Sequence, residues 1–268
     1  MLREQGALQL FCVFMICSLP LRAQILDTTK VPAPVIHTNI QTLNPKPLPQ
    51  DKKITLRSFY LPAGLITYGI VTLGSDGLRQ FNHKVREEVY QQDPEKKLGV
   101  DDYLQYAPAV AVYGLNFVGV KGLHNFRDRT IIYLMSDIVL NAVVNCGKKL
   151  TRELRPDGSN YLSFPSGHTA HAFASAEFLR REYRHLSPWY GIAGYAVAIS
   201  TGYLRMYNNR HWLSDVAAGA GVGIASSRIA YWIYPKVKKL FFSKSKSSNV
   251  IMPSYNGGTI ALNYIRQF

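Results

Sequence analysis

Apolar positions fall into seven long runs separated by polar or proline-containing breaks, and the pattern shortens to strict alternation only near the C-terminus. The runs have helical rather than strand length. They predict helices over Leu61 to Leu73, Leu78 to Gln91, Asp102 to Val120, Arg129 to Thr151, Thr169 to Tyr183, Pro188 to Leu204 and Trp212 to Tyr234. The expected fold class is therefore all-α, a bundle of about six to seven helices over residues 61–235. A segment of that length can bury one sizeable core. No internal repeat is evident.

The ends have a different texture. Residues 24–60 hold Pro32, Pro34, Pro45, Pro47 and Pro49 among polar positions and read as an extended segment with little packed structure. Ahead of them lie Arg3, an apolar run from Ala7 to Leu21 broken by Pro20, and Leu21-Arg22-Ala23. That order matches a cleavable secretory signal over residues 1–23. Removing it takes away Cys12 and Cys17 and leaves Cys146 without an intramolecular disulfide partner. Residues 236–268 read as a lysine-rich tail, with Lys236, Lys238, Lys239, Lys244 and Lys246 after the last helix. In its final stretch Ile260, Leu262, Tyr264 and Phe268 share one face, like the last strand of an outer-membrane barrel. This points to a Gram-negative source.

Tyr103 to Val120 and Ser187 to Leu204 are each 18 residues without a formal charge, the lower limit for crossing a bilayer. They include Gln105, Asn116 and several tyrosines, while Asp137, Asn141 and Asn145 interrupt the next helix. With a mean hydropathy of −0.06, the reading is an exported, periplasmic domain, soluble or peripheral to a membrane. The balance of 31 basic against 17 acidic residues gives a net charge of +14. Such a chain is drawn to anionic membrane surfaces and acidic substrates. Nucleic acid would be drawn equally, but no recognition motif is present and an exported protein has little access to it. Nothing in the sequence speaks to oligomeric state.

Candidate chemistry lies in three clusters. His211 and Asp215 are four apart, so a helix would stack them and let the carboxylate hold one ring nitrogen while aiming the other. Asn208 and Asn209 upstream predict a helix start that places His211 in the first turn. A buried pair that merely ties two helices together has the same spacing. Ser166 is a natural N-cap before an alanine-rich helix, Gly167 lets backbone approach an anion, and His168 stands at the mouth as a proton donor. Lys148 and Arg155 are seven apart and share a helix side if the helix runs that far; Arg205 adds another planar fork for phosphate oxygens. There is no His-Glu-x-x-His, no paired carboxylate motif and no cysteine cluster that would point to a metal site. His171 reads as a packing histidine.

Lys-x6-Arg-Pro, Pro-Ser-Gly-His and Arg-x5-His-x3-Asp follow one another in that order. Over about residues 100–235 the chain resembles the type 2 phosphatidic acid phosphatase superfamily, which also holds bacterial acid phosphatases and vanadium haloperoxidases. The resemblance implies that family's helical bundle and a reaction through phosphohistidine without a cofactor. It makes His211 the nucleophile, Asp215 its orienter and His168 the acid for the leaving group, then the base for water. Lys148, Arg155, Ser166, the Gly167 amide and Arg205 would hold the phosphoryl oxygens. Leu204 departs from the family, which usually has serine before that arginine. Sequences of this type resemble lipid A, phosphatidylglycerophosphate and undecaprenyl pyrophosphate phosphatases, so the expected substrate is a lipid phosphate. A nonspecific acid phosphatase on small esters, halide oxidation with bound vanadate, and non-catalytic anion binding are the alternatives. Substrate choice is expected in Asn125 to Arg129, Asp157 to Leu162 and the segment near Tyr207.

Overall fold

The computed structural model describes residues 54–90, 99–242, 249–256 and 259–266. The expected signal, Cys12, Cys17, the prolines up to Pro49, Lys244, Lys246 and Phe268 lie outside these residues. A 3₁₀ turn, Leu56–Phe59, leads into α1 (Tyr60–Gly74), α2 (Asp76–Val89), α3 (Asp101–Leu104), α4 (Ala107–Phe117), α5 (Phe126–Thr151), α6 (Gly167–Tyr183), α7 (Trp189–Tyr207) and α8 (Leu213–Phe242). The extended segment expected over 24–60 thus ends early, because helix begins at Leu56.

Alanine at positions 170, 172, 174 and 176 gives α6 a narrow profile, and it is buried along most of its length. It forms the axis of the bundle, packed by α4, α5, α7 and α8. α8 runs alongside it in the same direction. A Cβ at Gly223 would lie 2.2 Å from the Ala170 carbonyl oxygen, and one at Gly219 would lie 2.5 Å from that of Ser166. Only glycine permits so close an approach. α1 covers the other side of α8. Val112, Ile132, Leu140, Phe178 and Ile224 are at most 2% exposed. Each such side chain contributes roughly 1.5–3 kcal/mol by burial.

Two predicted helices have different limits. Asp102 to Val120 divides into α3 and α4, since Pro108 occupies the first turn of α4 and cannot extend a preceding helix. α8 continues through Pro235 to Phe242. Lys236, Lys238 and Lys239 are therefore helical, not a tail beyond the last helix. Lys238 binds Asp128 of α5 at 2.5 Å, and Lys236 lies 4.5 Å over the Trp232 ring. These contacts offset the backbone bond that proline removes. Outside the bundle, β1 (Asn249–Asn256) pairs antiparallel with β2 (Thr259–Arg266), with Ile251 opposite Tyr264. The strand expected from Thr259 therefore pairs with a second strand, Asn249–Asn256, inside the expected lysine-rich tail.

Candidate active site

α5 stops at Thr151 because Arg152 takes a left-handed backbone, φ 48°, and returns its N–H to the Lys148 carbonyl at 3.3 Å. Such a cap usually falls to glycine or asparagine. Arg155 consequently stands in a loop and not on the side of α5 that carries Lys148. The loop folds back on itself: Arg155 N–H donates to the Asn160 carbonyl at 3.0 Å, and Ser163 N–H to that of Glu153 at 3.0 Å. Gly158, at φ 71°, closes the turn between them. Lys148 Nζ donates to the Leu162 carbonyl at 2.5 Å. Beside it a cavity of about 690 Å³ is lined by Lys148, Lys149, Arg152, Tyr161 and Leu162.

Ser166 caps α6, accepting from Thr169 N–H at 3.4 Å, with its hydroxyl 2.9 Å from that of Thr169. The Ser166 N–H donates to the Asp215 carbonyl at 3.0 Å, which fixes the α6 start against the α8 start. Gly167 opens the helix, where amides point outward without helical partners. His168 Nε2 lies 2.8 Å from Asp102 Oδ1. One turn on, His171 Nδ1 lies 2.9 Å from the Gly167 carbonyl and Nε2 lies 3.1 Å from Asp137, a packing arrangement.

His211 is in the turn between α7 and α8, not in the first helical turn. The reason is that Asn208 closes α7, donating to the Leu204 carbonyl at 2.8 Å, and Asn209 adopts φ 56°. Asp215 is the third residue of α8 and reaches back to accept from Trp212 N–H at 2.9 Å, the reciprocal half of a capping box. The same oxygen accepts from Ser163 Oγ at 2.5 Å and lies 3.5 Å from His211 Nδ1. The last distance is a close electrostatic contact rather than a hydrogen bond, and Asp215 Oδ1 is buried without a hydrogen-bond partner. A small turn of either group would complete the bond. α2 clamps this turn from outside, through Asn82 to Ser214 at 2.8 Å and Arg86 to Asn209 at 2.7 Å.

The three clusters converge. Lys148, Arg155 and Arg205 act on one another electrostatically, and Asp215 acts on Lys148 and Arg155. The Nε atoms of Arg155 and Arg205 are buried without protein partners. Burial, then the charge of Arg205, lowers the Arg155 pKa. Burial also lowers the His211 pKa to about 4, against the opposing pull of Asp215, with Arg205 and Lys148 adding to the depression. A neutral, fully buried imidazole beside converging cations suits a nucleophile whose target carries negative charge.

Asp101 and Asp102 are not among the residues that the three motifs single out. Asp101, 1% exposed, pairs with Arg205 through a short bond and accepts from Asn208 Nδ2 at 3.3 Å. The acidic doublet in so basic a chain is the signal in the sequence that points to them. Asn125 to Arg129, expected near the substrate, begins α5. Asn125 is 23 residues from Lys148, about 35 Å along a helix, so this segment belongs to the opposite end of the bundle.

Residues 141–239 match the family model described as the PAP2 superfamily. A lipid A 1-phosphatase from Porphyromonas gingivalis is 42% identical over 135 residues, covering 50% of this chain and 30% of that protein. The bacitracin transport permease protein BcrC of Bacillus licheniformis is 32% identical over 97 residues, covering 35% and 46%. The chain thus spans less than half the length of either relative. Among solved structures, Aquifex aeolicus LpxE is similar over 56% of this chain and 94% of its own, at 20% identity and a TM-score of 0.43. A transmembrane PAP2-type phosphatidylglycerolphosphate phosphatase from Bacillus subtilis is similar over 67% and 98%, at 20% identity and a TM-score of 0.48.

Proposed function

We propose that this protein, whose residues 141–239 match the PAP2 superfamily model, is a lipid phosphate phosphatase acting through a phosphohistidine on His211. The observation that carries the reading is the convergence of a buried His211–Asp215 pair, His168 and three cations, two of which, Arg155 and Arg205, hold a buried Nε–H without a hydrogen-bond partner. In the first step His211 Nε2 attacks phosphorus and the bond to the leaving oxygen breaks. His168 gives that oxygen its proton. In the second step His168 takes a proton from water, the water oxygen attacks phosphorus, and the phosphorus–nitrogen bond breaks to release phosphate and neutral His211. Asp215 stabilises the imidazolium character that His211 gains when bonded to phosphorus. Lys148, Arg155, Arg205, Ser166 and the Gly167 amide face the charge that spreads over the equatorial oxygens.

A lipid-borne substrate is supported by the lipid A 1-phosphatase among the relatives and by the flanks of the bundle. α5 is long and apolar enough to cross a membrane, and 22% of its most apolar window is buried. Leu134 and Ile138 on α5, Ile70 and Val71 on α1, Val110 and Phe117 on α4, and Ile192 and Ile199 on α7 are all more than half exposed. Apolar surface on four helices calls for cover. The expectation of a soluble or peripheral domain therefore gives way to a bundle seated in the bilayer, and the expected secretory signal supports the periplasmic face for catalysis.

The test compares turnover of lipid A in mixed micelles with that of a soluble phosphomonoester, in wild type and His211→Ala. The lipid should be preferred by kcat/KM, and His211→Ala should remove both turnover and acid-trapped phosphoenzyme. Equal efficiency on both substrates would favour the acid phosphatase alternative. Activity that survived His211→Ala would remove the mechanism altogether.

A further inference from the structure

The cavity of about 690 Å³ at the C-terminus of α5 adjoins the phosphate cradle, and Lys148 belongs to both. Beyond Lys148 its wall holds two further cations, Lys149 and Arg152. Tyr161 and Leu162 complete the wall from the loop that returns to α6, and the bond from Lys148 Nζ to the Leu162 carbonyl ties that loop to the helix. Arg152 stands four residues beyond Lys148, and its N–H donates to the Lys148 carbonyl at 3.3 Å. At that spacing two Cβ atoms are roughly 5–6 Å apart. A group bonded to a phosphate at Lys148 is thus within reach of both outer cations.

The negative end of α5 favours cations, which accounts for Lys149 in the last turn. It does not account for Arg152. At φ 48° the Arg152 backbone is left-handed, a conformation that is costly for a long side chain and free of strain for glycine. Glycine would close the helix as well, so the guanidinium is what arginine adds at this place. Carboxylates of the neighbouring loop are engaged elsewhere: Glu153 pairs with Arg79 at 3.4 Å and Asp157 with Arg210 at 2.9 Å. No carboxylate is among the described residues that line the cavity. An ammonium and a planar fork side by side match phosphate oxygens. Lys148, Arg155 and Arg205 already face the first phosphate, which leaves Lys149 and Arg152 for a second.

We propose that Lys149 and Arg152 form a subsite for a second phosphate on the lipid substrate, so that lipids bearing two phosphates are selected over those bearing one. This selection rests on the phosphatase reading above. Turnover in neutral phosphatidylcholine mixed micelles tests it with two pairs of lipids: a prenyl diphosphate against the prenyl monophosphate, and lipid A with two phosphates against its 1-monophosphate form. Wild type should favour the two-phosphate member of at least one pair by about tenfold in kcat/KM. Arg152→Gly and Lys149→Gln should each raise KM for that member about tenfold, and for its monophosphate partner less than about twofold. Glycine takes φ 48° without strain, so Arg152→Gly should keep or raise Tm, which separates lost charge from lost folding. Selection confined to the prenyl pair would place the second phosphate directly on the first; selection confined to the lipid A pair would place it across the sugars. Equal losses on both members of a pair, no selection in wild type, or losses that appear only after phosphatidylglycerol is added would overturn the proposal. If wild type hydrolyses none of the four lipids, the phosphatase reading fails and their binding, read as a Tm shift in the same micelles, decides the subsite. A larger shift with the two-phosphate member that both variants reduce would support it, and equal shifts would overturn it.

Discussion

His211 is the residue on which most depends, and its protonation can be followed by pH. Its pKa of about 4 in the folded chain, against about 6.5 when unfolded, keeps the imidazole neutral through the physiological range. With the ester's own second ionisation near pH 6 allowed for, the acid limb of kcat/KM should fall near pH 4 and not near 6.5. The unfolded chain takes up this proton near pH 6.5 and the folded chain only near 4, so acidification across that window favours unfolding through this group. His211→Asn should make the fall in Tm between pH 6.5 and 4 shallower, by loss of one proton's linkage. Asp102 bonds His168 at 2.8 Å, so Asp102→Asn should lower kcat about tenfold for alkyl phosphates and much less for p-nitrophenyl phosphate. An equal loss on both esters would remove Asp102 from leaving-group protonation. At this scale the motifs located the converging residues, because the spacing of each motif is local. The partners that hold them were not legible: Asp101 is 104 positions from Arg205, and Asn82 is 132 from Ser214. A single sequence carries no signal for such pairings.

Among the elements, the α6–α8 contact is the most exacting. Gly223→Ala would place a methyl group 2.2 Å from the Ala170 carbonyl, where the obstacle is backbone and cannot rotate away. It should destabilise by about 1–3 kcal/mol or more, read as a lowered Tm. Gly64→Ala in α1, with nothing within 4 Å of the added carbon, should be neutral or slightly stabilising and serves as the control. The helices themselves were legible because their apolar runs are long. Their limits were set at single residues: an arginine in a left-handed cap at 152, an asparagine in a left-handed turn at 209, and a proline that α8 absorbs at 235. Residue preferences are averages: Asn209 follows the usual one for a left-handed turn, whereas Arg152 and Pro235 go against theirs.

For the whole molecule, the proposed seating in a bilayer departs from the soluble or peripheral domain expected from the sequence. Mean hydropathy sums core and surface together, and the charged ends lower it, so the apolar flanks became visible only once the helices had taken their places. If these flanks face lipid, alkaline carbonate washing should leave the protein in the membrane pellet, and detergent should be needed to release it. Release by carbonate alone would restore the soluble or peripheral reading. Vanadate, a mimic of five-coordinate phosphorus, should compete with substrate for the cradle, and chelation with EDTA should leave turnover unchanged if the fixed cations supply the positive charge.

Trp212 joins the two halves of the catalytic end: its indole N–H donates to the Leu154 carbonyl at 2.9 Å, and its backbone N–H donates to Asp215. The other two tryptophans, Trp189 and Trp232, are 71% and 54% exposed and lie toward the opposite end. Replacing both with phenylalanine would leave one emitter, wedged between the Arg155 loop and the nucleophile's turn. Any drawing together of loop and turn around a phosphoryl group would change the polarity around that indole. The chain thus contains its own optical gauge of active-site closure, readable by stopped-flow fluorescence before a product has formed.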